Sequence, residues 1–289
     1  MLKLVFAAIV GLGGLCAPAT VSPAFAQAQL QTPAEAPAPG MSTAELMQAA
    51  SLDVVFSQFG AAMTDTARAQ AVPLNADLLK AWGAAAREVF SADLMHRKLS
   101  EALEDKFEPE DYAAFAQFYG SPFGQRISAL ERRATMLPAA DQMSAQVAGQ
   151  ALADAASPAR NAQVDEALQL VSADLSAAMM RESMRGLLIG MAMNRQQGDI
   201  KVPWEEVERQ LEQLMPQFAA ELAKAQRALT FYTYAELNDA DIETYLDFLR
   251  TEPAKKLFAV SAYAVGEIVT ERMRIFGEAL ATRLGRVNV

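Results

Sequence analysis

A segment near the middle of the chain recurs in degraded form 130 residues later. When residues 107–127 are laid beside residues 237–257 without gaps, Asp111/Asp241 and Phe118/Phe248 are identical. Apolar residues also coincide at Phe107/Leu237, Tyr112/Ile242, Phe115/Tyr245, Tyr119/Leu249 and Ile127/Leu257. A repeated unit with an apolar face buries that face against its twin. The recurrence therefore predicts two related units, about 41–156 and 157–289, packed into one body.

Apolar residues elsewhere follow the period of an α-helix. One set comprises Leu78, Leu79, Trp82, Ala86, Val89 and Phe90, and a second comprises Trp204, Val207, Leu211, Met215, Phe218 and Leu222. The sequence shows neither the alternation of strands nor the glycine turns of hairpins. Hydrophobic residues make up 52% of the chain, which is ample for a large core. We predict an all-α fold, a helical bundle-like body with essentially no sheet.

The recurring segment carries the signals of a corner between two helices. A helix with Pro109 in its first turn should end at Gly120, and Ser121 should cap a second helix that has Pro122 at its first position. Thr251 takes the place of that cap in the second copy. The residues of this structural motif are Phe118, Tyr119, Ser121, Pro122 and Gly124 in the first copy, and Phe248, Thr251 and Pro253 in the second.

The beginning of the chain reads as an export signal. Lys3 precedes an uncharged run, and Ala24 and Ala26 provide the small residues of a cleavage site. We expect a signal peptide at 1–26 and a flexible, proline-rich tether at 27–40. A membrane anchor needs about 20 apolar residues, more than this run supplies. Lipid attachment at Cys16 is the other alternative, but Leu15 stands where a small residue is required.

Composition excludes several classes of function. Cys16 is the only cysteine, so the exported chain has no disulfide, thiolate metal site or cysteine nucleophile. The net charge of −10 repels phosphate backbones, which excludes nucleic acid as a partner. No segment of the mature chain is long and apolar enough to span a bilayer. The expected location is the periplasm, with full secretion as the alternative.

The first corner resembles a bacterial family. A Phe-Tyr-x-Ser-Pro-x-Gly-like pattern at 118–124, preceded by the Pro-Glu-Asp helix start at Pro109, is similar to the domain of unknown function family 2059. Residues 107–130 carry this resemblance. It implies an all-helical protein exported in Gram-negative bacteria, and it supplies no catalytic residues.

The titratable residues permit an enzymatic alternative. His96, the only histidine, follows Asp93 by three residues, so the carboxylate could orient the imidazole as a general base. The charged residues around His96 favour a surface histidine instead. Two carboxylates brought together by folding would leave no linear trace. A periplasmic hydrolase that uses carboxylates, with or without His96, is therefore the alternative function.

Metal binding is a third possibility. The spacing Asp239-x-Asp241-x-Glu243 begins like a calcium loop, but Thr244 replaces its glycine and Arg250 its terminal glutamate. Charged helix starts explain this acidic cluster, and the one at 101–111, more simply. Methionine thioethers between 179 and 193 could bind copper(I). Core packing around Gly186 and Gly190 is the simpler explanation.

The same methionine-rich stretch can also form the wall of an apolar groove. Its candidate residues are Met180, Met184, Leu188 and Met191. Adaptable methionine side chains would there receive a lipid or a partner helix. We therefore expect a non-catalytic interaction or apolar-ligand-binding module of the cell envelope that needs no cofactor. Its partner would be an envelope protein or an apolar ligand.

Overall fold

A computed structural model describes residues 41–68, 76–171, 175–195 and 204–287. The expected signal peptide, with Ala24 and Ala26, and the tether at 27–40 lie outside these residues. Every regular element within the described ranges is helical, and none is a strand. The all-α prediction is confirmed.

The helices follow one another with short connections. They are α1 (Thr43–Ala49), a 3₁₀ turn (Leu52–Val54), α2 (Phe59–Arg68), α3 (Ala76–Val89), α4 (Ala92–Leu103), α5 (Pro109–Gly120), α6 (Pro122–Thr135), α7 (Ala139–Ala155), α8 (Pro158–Leu170), α9 (Leu175–Arg195), α10 (Trp204–Thr233), α11 (Asp239–Leu249) and α12 (Glu252–Val287). No helix in the described ranges is both long and apolar enough to cross a membrane.

The two copies of the recurring segment begin with the same cap. The carboxylate of Asp111 accepts a hydrogen bond from the Glu108 amide at 3.0 Å, and that of Asp241 accepts one from the Asn238 amide at 3.2 Å. Each pair forms a capping box at the start of its helix, α5 or α11. The identical aspartates of the two segments, Asp111 and Asp241, thus have the same capping role.

Both copies then turn a corner in the predicted way. The hydroxyls of Ser121 and Thr251 accept hydrogen bonds from the amides three residues ahead, at 2.9 and 3.3 Å. They also donate to the carbonyl groups three residues behind, at 2.6 and 2.7 Å. Pro122 opens α6, and Pro253 is the second residue of α12. The motif is therefore a helical corner in both copies.

The corners contact each other through corresponding side chains. The rings of Phe118 and Phe248, which occupy the same place in the two copies, stack at 3.7 Å with an angle of 2° between their planes. Contact between equivalent residues is the property of a twofold axis. An approximate twofold axis therefore passes between the two phenylalanine rings.

Two reciprocal ion pairs obey the same symmetry. Lys256 contacts Asp111 at 2.6 Å, and Arg126 contacts Asp241 at 3.5 Å. The two cations correspond to each other at the 130-residue spacing, as do the two aspartates. The hydrogen bond from Lys256 holds the pKa of Asp111 below its usual range. The corners thus bind each other by exchanging equivalent contacts.

The helices that follow the two corners also pack against distant parts of the chain. Helix α7 packs on α10, while α12 packs on α3 and α4 as well as on α9.

At the 130-residue spacing, α6 and α7 together correspond to the first 34 residues of the 36-residue α12. Pro138 interrupts the first copy, because proline lacks the amide that a helix interior needs. Ile268 stands at that place in α12, and the helix continues. The division of the chain near residue 156 stays a prediction.

Candidate functional site

The most unusual interior group is the carboxylate of Glu131 on α6. This residue is 2% exposed. Its Oε1 atom accepts hydrogen bonds from the hydroxyl groups of Tyr234 and Tyr245, both at 2.7 Å. Burying a carboxylate is costly unless strong hydrogen bonds compensate, and two tyrosine donors supply that compensation. The glutamate thereby joins α6 to the end of α10 and to α11.

Three buried tyrosines surround this carboxylate. The pKa values of Tyr119, Tyr234 and Tyr245 are all raised well above the ordinary value, first by burial and then by the negative charge of Glu131. Tyr245 also stacks on Phe118 at 5.8 Å, which connects the cluster to the twofold contact of the corners. A carboxylate with 2% exposure offers no surface to a substrate, so the cluster acts as a structural junction.

Sequence reasoning missed Glu131, although a signal was present. The residue lies four positions after Ile127 and three before Ala134, both of which are buried. An acidic residue on the apolar stripe of a helix needs a hydrogen-bonding partner in the core. The identity of that partner could not be read from the chain, because Tyr234 and Tyr245 are 103 and 114 residues away.

The raised tyrosine pKa values predict instability in alkali. A tyrosine whose pKa is higher in the folded state stabilises the fold below its unfolded pKa and loses that contribution as the pH rises through its folded pKa. Stability should therefore fall above about pH 10, by up to ~1.4 kcal/mol per pH unit for each such tyrosine. Absorbance at 295 nm and circular dichroism at 222 nm would follow ionisation and unfolding together.

Three of the six tyrosines belong to the cluster. We expect these three to ionise only as the helical signal is lost. The Tyr234→Phe variant serves as control, since it should remove one hydroxyl from this coupled phase. Ionisation of the whole tyrosine set with the helical signal intact would contradict the expectation.

The glycine of the first corner is required by a close backbone contact. A Cβ atom at Gly124 would lie 1.9 Å from the carbonyl oxygen of Phe118, far inside any tolerated distance. The corresponding position in the second corner is Ala254, which is fully buried. The two helices therefore approach each other more closely at the first corner than at the second. This difference explains why the second copy tolerates an alanine at this position.

The proposed general-base pair is not assembled. His96 is half-buried on α4 and Asp93 is exposed. Within the part of the chain that the structure describes, no hydrogen bond or ion pair joins these two residues. This placement agrees with a surface histidine.

Two acids of the cluster around α11, Glu243 and Asp247, are engaged by Arg250. Arg250 contacts Glu166 at 2.8 Å, Glu243 at 2.7 Å and Asp247 at 3.2 Å. Its hydrogen bonds are the main reason why the pKa values of Glu166 and Glu243 are lowered. Over the described ranges, no group of three or more histidine, cysteine, aspartate or glutamate residues is arranged to hold a metal ion.

The candidate groove residues lie on one stripe of α9. Met180, Met184 and Leu188 are half-buried and spaced by four residues. Met191 continues the stripe by its spacing, and its side chain lies outside the described residues. This stripe is distinct from the neighbouring face of α9, from which Met179 and Leu187 pack against the main core.

Helices α9 and α12 pack closely against each other. A Cβ atom at Gly186 would lie 3.0 Å from the Thr270 carbonyl oxygen, and one at Gly266 would lie 2.8 Å from the Met179 side chain. Glycines at such a contact let two helices approach closely. A ligand groove cannot therefore run between α9 and α12, so any groove must lie beside this contact, along the half-buried stripe.

One part of the chain is similar to a known family. Residues 93–159 match the model of a family described as "Uncharacterized protein conserved in bacteria (DUF2059)". The family resemblance is confirmed. The matched segment runs from α4 to the start of α8, and it includes the first corner and Glu131. Neither the comparison with curated proteins nor the one with solved structures gives a match.

Proposed function

We propose that the protein is an exported, non-catalytic interaction module of the bacterial cell envelope. It binds an apolar ligand, or an apolar segment of an envelope protein, along the methionine stripe of α9, defined as Met180, Met184, Leu188 and Met191. The observation that carries this proposal is the half-buried state of Met180, Met184 and Leu188 beside a helix contact that is already closed.

The chemistry of the stripe suits an adaptable apolar contact. Methionine has three rotatable bonds and a polarizable sulfur, so one stripe can fit ligands of different shape. Arg181 and Arg185 flank the stripe on the exposed side of α9. Both arginines form ion pairs with Glu182, and Arg185 also pairs with Glu208, so an amphipathic ligand would find an apolar surface bordered by paired charges.

Support for a non-catalytic role comes from the polar interior. The buried acid Glu131 is engaged by two tyrosines, and the acids near α11 are engaged by Arg250. A general acid or base has to reach a substrate. These carboxylates are instead committed to holding helices together.

Export is part of the proposal. The positive charge of Lys3, the uncharged run after it and the small residues Ala24 and Ala26 support secretion and cleavage before Gln27. The periplasm is the proposed location.

One preparation tests both parts of the proposal. When the full chain is expressed in a Gram-negative host, we expect it in the periplasmic fraction with Gln27 as its first residue. The purified protein should increase the fluorescence of N-phenyl-1-naphthylamine on binding. Met184→Lys should weaken that binding by roughly tenfold or more, because a charge then faces the apolar probe.

Tyr263→Lys is the matched control. Tyr263 is an exposed apolar residue on α12, with 69% of its surface accessible, so binding should be unchanged in this variant. An uncleaved chain in the cytoplasm would refute export. Equal probe binding by the Met184→Lys protein would refute the methionine stripe as the site, whatever the location of the chain.

A further inference from the structure

Helix α7 buries some of its polar side chains and exposes some of its apolar ones. Gln142 is 5% exposed and faces the interior, whereas Val147 and Leu152 are 59% and 41% exposed. Among the described residues, Gln142 Oε1, Gln146 Nε2 and Gln226 Nε2 are buried without a hydrogen-bond partner. A helix of a soluble protein normally buries its apolar stripe and exposes its polar one. At Gln142, Val147 and Leu152 this arrangement is reversed, which indicates that the exposed apolar residues have a use.

A close helix contact fixes this orientation. A Cβ atom at Gly149 would lie 1.9 Å from the Ala228 carbonyl oxygen, so α7 approaches α10 through its glycine and cannot rotate. The opposite side of the helix is exposed. We define this side as the outer face of α7; it consists of Ala140, Ser144, Val147, Ala148, Ala151 and Leu152.

The internal repeat shows what the corresponding surface of α12 receives. Gly266, Thr270 and Arg274 occupy the places of Met136, Ala140 and Ser144, 130 residues earlier. In α12 these positions are covered by helix α9, which places Met179 against Gly266 and Gly186 against Thr270 and Arg274. Ser183 of α9 also approaches Thr270, with 3.5 Å between the hydroxyl oxygens. The second copy of this surface is therefore a packing surface for helix α9.

The first copy of the surface is not covered in the same way. The residues that correspond to α9, 45–65, form α1, the 3₁₀ turn and most of α2. These elements pack on α3, α4 and α5, and they also reach Met136, whose carbonyl accepts a hydrogen bond from Gln58 Nε2 at 2.8 Å. Met136, just before α7, is 47% exposed, and Ala140 and Ser144 are exposed as well. Among the described residues, the surface that α9 covers in the second copy is thus exposed in the first copy from Ala140 onward.

Charge indicates the character of the missing helix. Asp141 and Asp154 are the only charged residues of α7, and both are exposed. They are 13 residues apart, which is about 20 Å along the helix axis. Basic residues on a bound helix would be attracted to both ends of the outer face. Helix α9 is itself a basic helix, because it carries Arg181, Arg185 and Arg195 but only one acidic residue, Glu182.

A second copy of the chain is a poorer occupant. A helix of 17 residues is about 25 Å long and presents a strip of only a few hundred Å², whereas a stable dimer buries about 800 Å² on each partner. Antiparallel pairing of two α7 helices would also bring Asp141 of one copy towards Asp154 of the other. The area suits contact with a single helix and not a stable dimer, and charge favours a basic helix from a different protein.

We propose that the outer face of α7 is a docking surface for an amphipathic helix of a partner protein, with a stripe of small and apolar residues like that of α9 and basic residues at its flanks. This surface is separate from the methionine stripe and does not depend on it. The exposed Val147 and Leu152 supply the apolar contact, and Asp141 and Asp154 set the charge preference.

A peptide with the sequence of residues 175–195 is a suitable probe. Fluorescence anisotropy of the labelled peptide should show saturable binding to the mature protein. Val147→Asp should weaken this binding at least about tenfold, because a charge then faces the apolar stripe. Tyr263→Asp, the matched change on an exposed residue of α12, should leave it unchanged. Leu152→Asp provides a second test if the Val147 variant has an altered circular dichroism spectrum.

The charge preference is tested by a second peptide in which Arg181, Arg185 and Arg195 are replaced by glutamate. Its binding should be at least about tenfold weaker at low salt. The proposal would be overturned if the peptide did not bind saturably, if neither Val147→Asp nor Leu152→Asp changed its binding, or if the two peptides bound equally. It would also be overturned by a dimer in sedimentation that depends on Val147. Val147-dependent binding of the protein to phospholipid vesicles in place of the peptide would overturn it as well.

Discussion

Replacing Glu131 by alanine is expected to destabilise the protein by about 3–5 kcal/mol, the cost of breaking a buried charged hydrogen-bond network from one side. The substitution leaves the hydroxyl groups of Tyr234 and Tyr245 buried without their acceptor, and it also opens a cavity between α6, α10 and α11. Both hydroxyls lie at 2.7 Å from the carboxylate, so both lose a bond of good geometry.

Denaturation by urea, followed by circular dichroism, would measure this effect. Glu131→Gln should fall between the alanine variant and the wild type, because the amide keeps an oxygen that can accept from the tyrosines. Tyr234→Phe and Tyr245→Phe should each cost about 1.5–3 kcal/mol, since each removes a hydrogen bond to a charged group. A midpoint for Glu131→Ala within error of the wild type would mean that the carboxylate contributes nothing to the fold.

Glu131→Ala and the two tyrosine variants also form double-mutant cycles. If Tyr234 and Tyr245 act through Glu131, each tyrosine change should cost much less in the Glu131→Ala background than in the wild type. Equal costs in the two backgrounds would place the contribution of the tyrosines in their ring packing instead.

Gly124→Ala is the second substitution for which we expect a large loss, about 3 kcal/mol. The added methyl group would meet the carbonyl oxygen of Phe118 at 1.9 Å, and the obstacle is backbone, which cannot rotate away as a side chain can. The corner between α5 and α6 would have to open, which would disturb the stacking of Phe118 on Phe248. Overpacking of this kind typically costs about 1–3 kcal/mol, with larger values where backbone must move.

The second corner provides the matched control. Ala254 holds the position that corresponds to Gly124, so Ala254→Gly asks what the same exchange costs in the opposite direction. We expect about 1 kcal/mol from the lower helix propensity of glycine, with a further contribution from the lost buried methyl group. Thermal and urea unfolding of both variants would compare them. A Gly124→Ala protein as stable as the wild type would show that the corner is free to widen.

The helical corners were predictable because their signals are local. Ser121 accepts a hydrogen bond from an amide three residues away, and Thr251 does the same in the second copy. Such caps depend on neighbours within one turn, so a sequence pattern contains all the required information. The all-α class follows for the same reason, because the helical period is a property of short segments.

The candidate sites were less accessible to sequence reasoning. The methionine stripe stays a prediction, and the close contact of α9 with α12 depends on Gly186 meeting Thr270, a residue far along the chain. The outer face of α7 gave no signal of its own. Its alanines fit equally well in a core, and only the approach of Gly149 to Ala228 turns them outward.

The sequence by itself determined where the helices start and stop at the two corners and that the chain is built from helices. It also determined that the segments around Asp111 and Asp241 are alike. The tertiary structure alone decided that these segments exchange equivalent contacts, that Glu131 joins two distant tyrosines, and that Val147 and Leu152 of α7 face outward. The physical reason is range: caps and periodicity act within a turn or two of helix, whereas burial, ion pairing and close backbone approach depend on which distant residues the fold brings together.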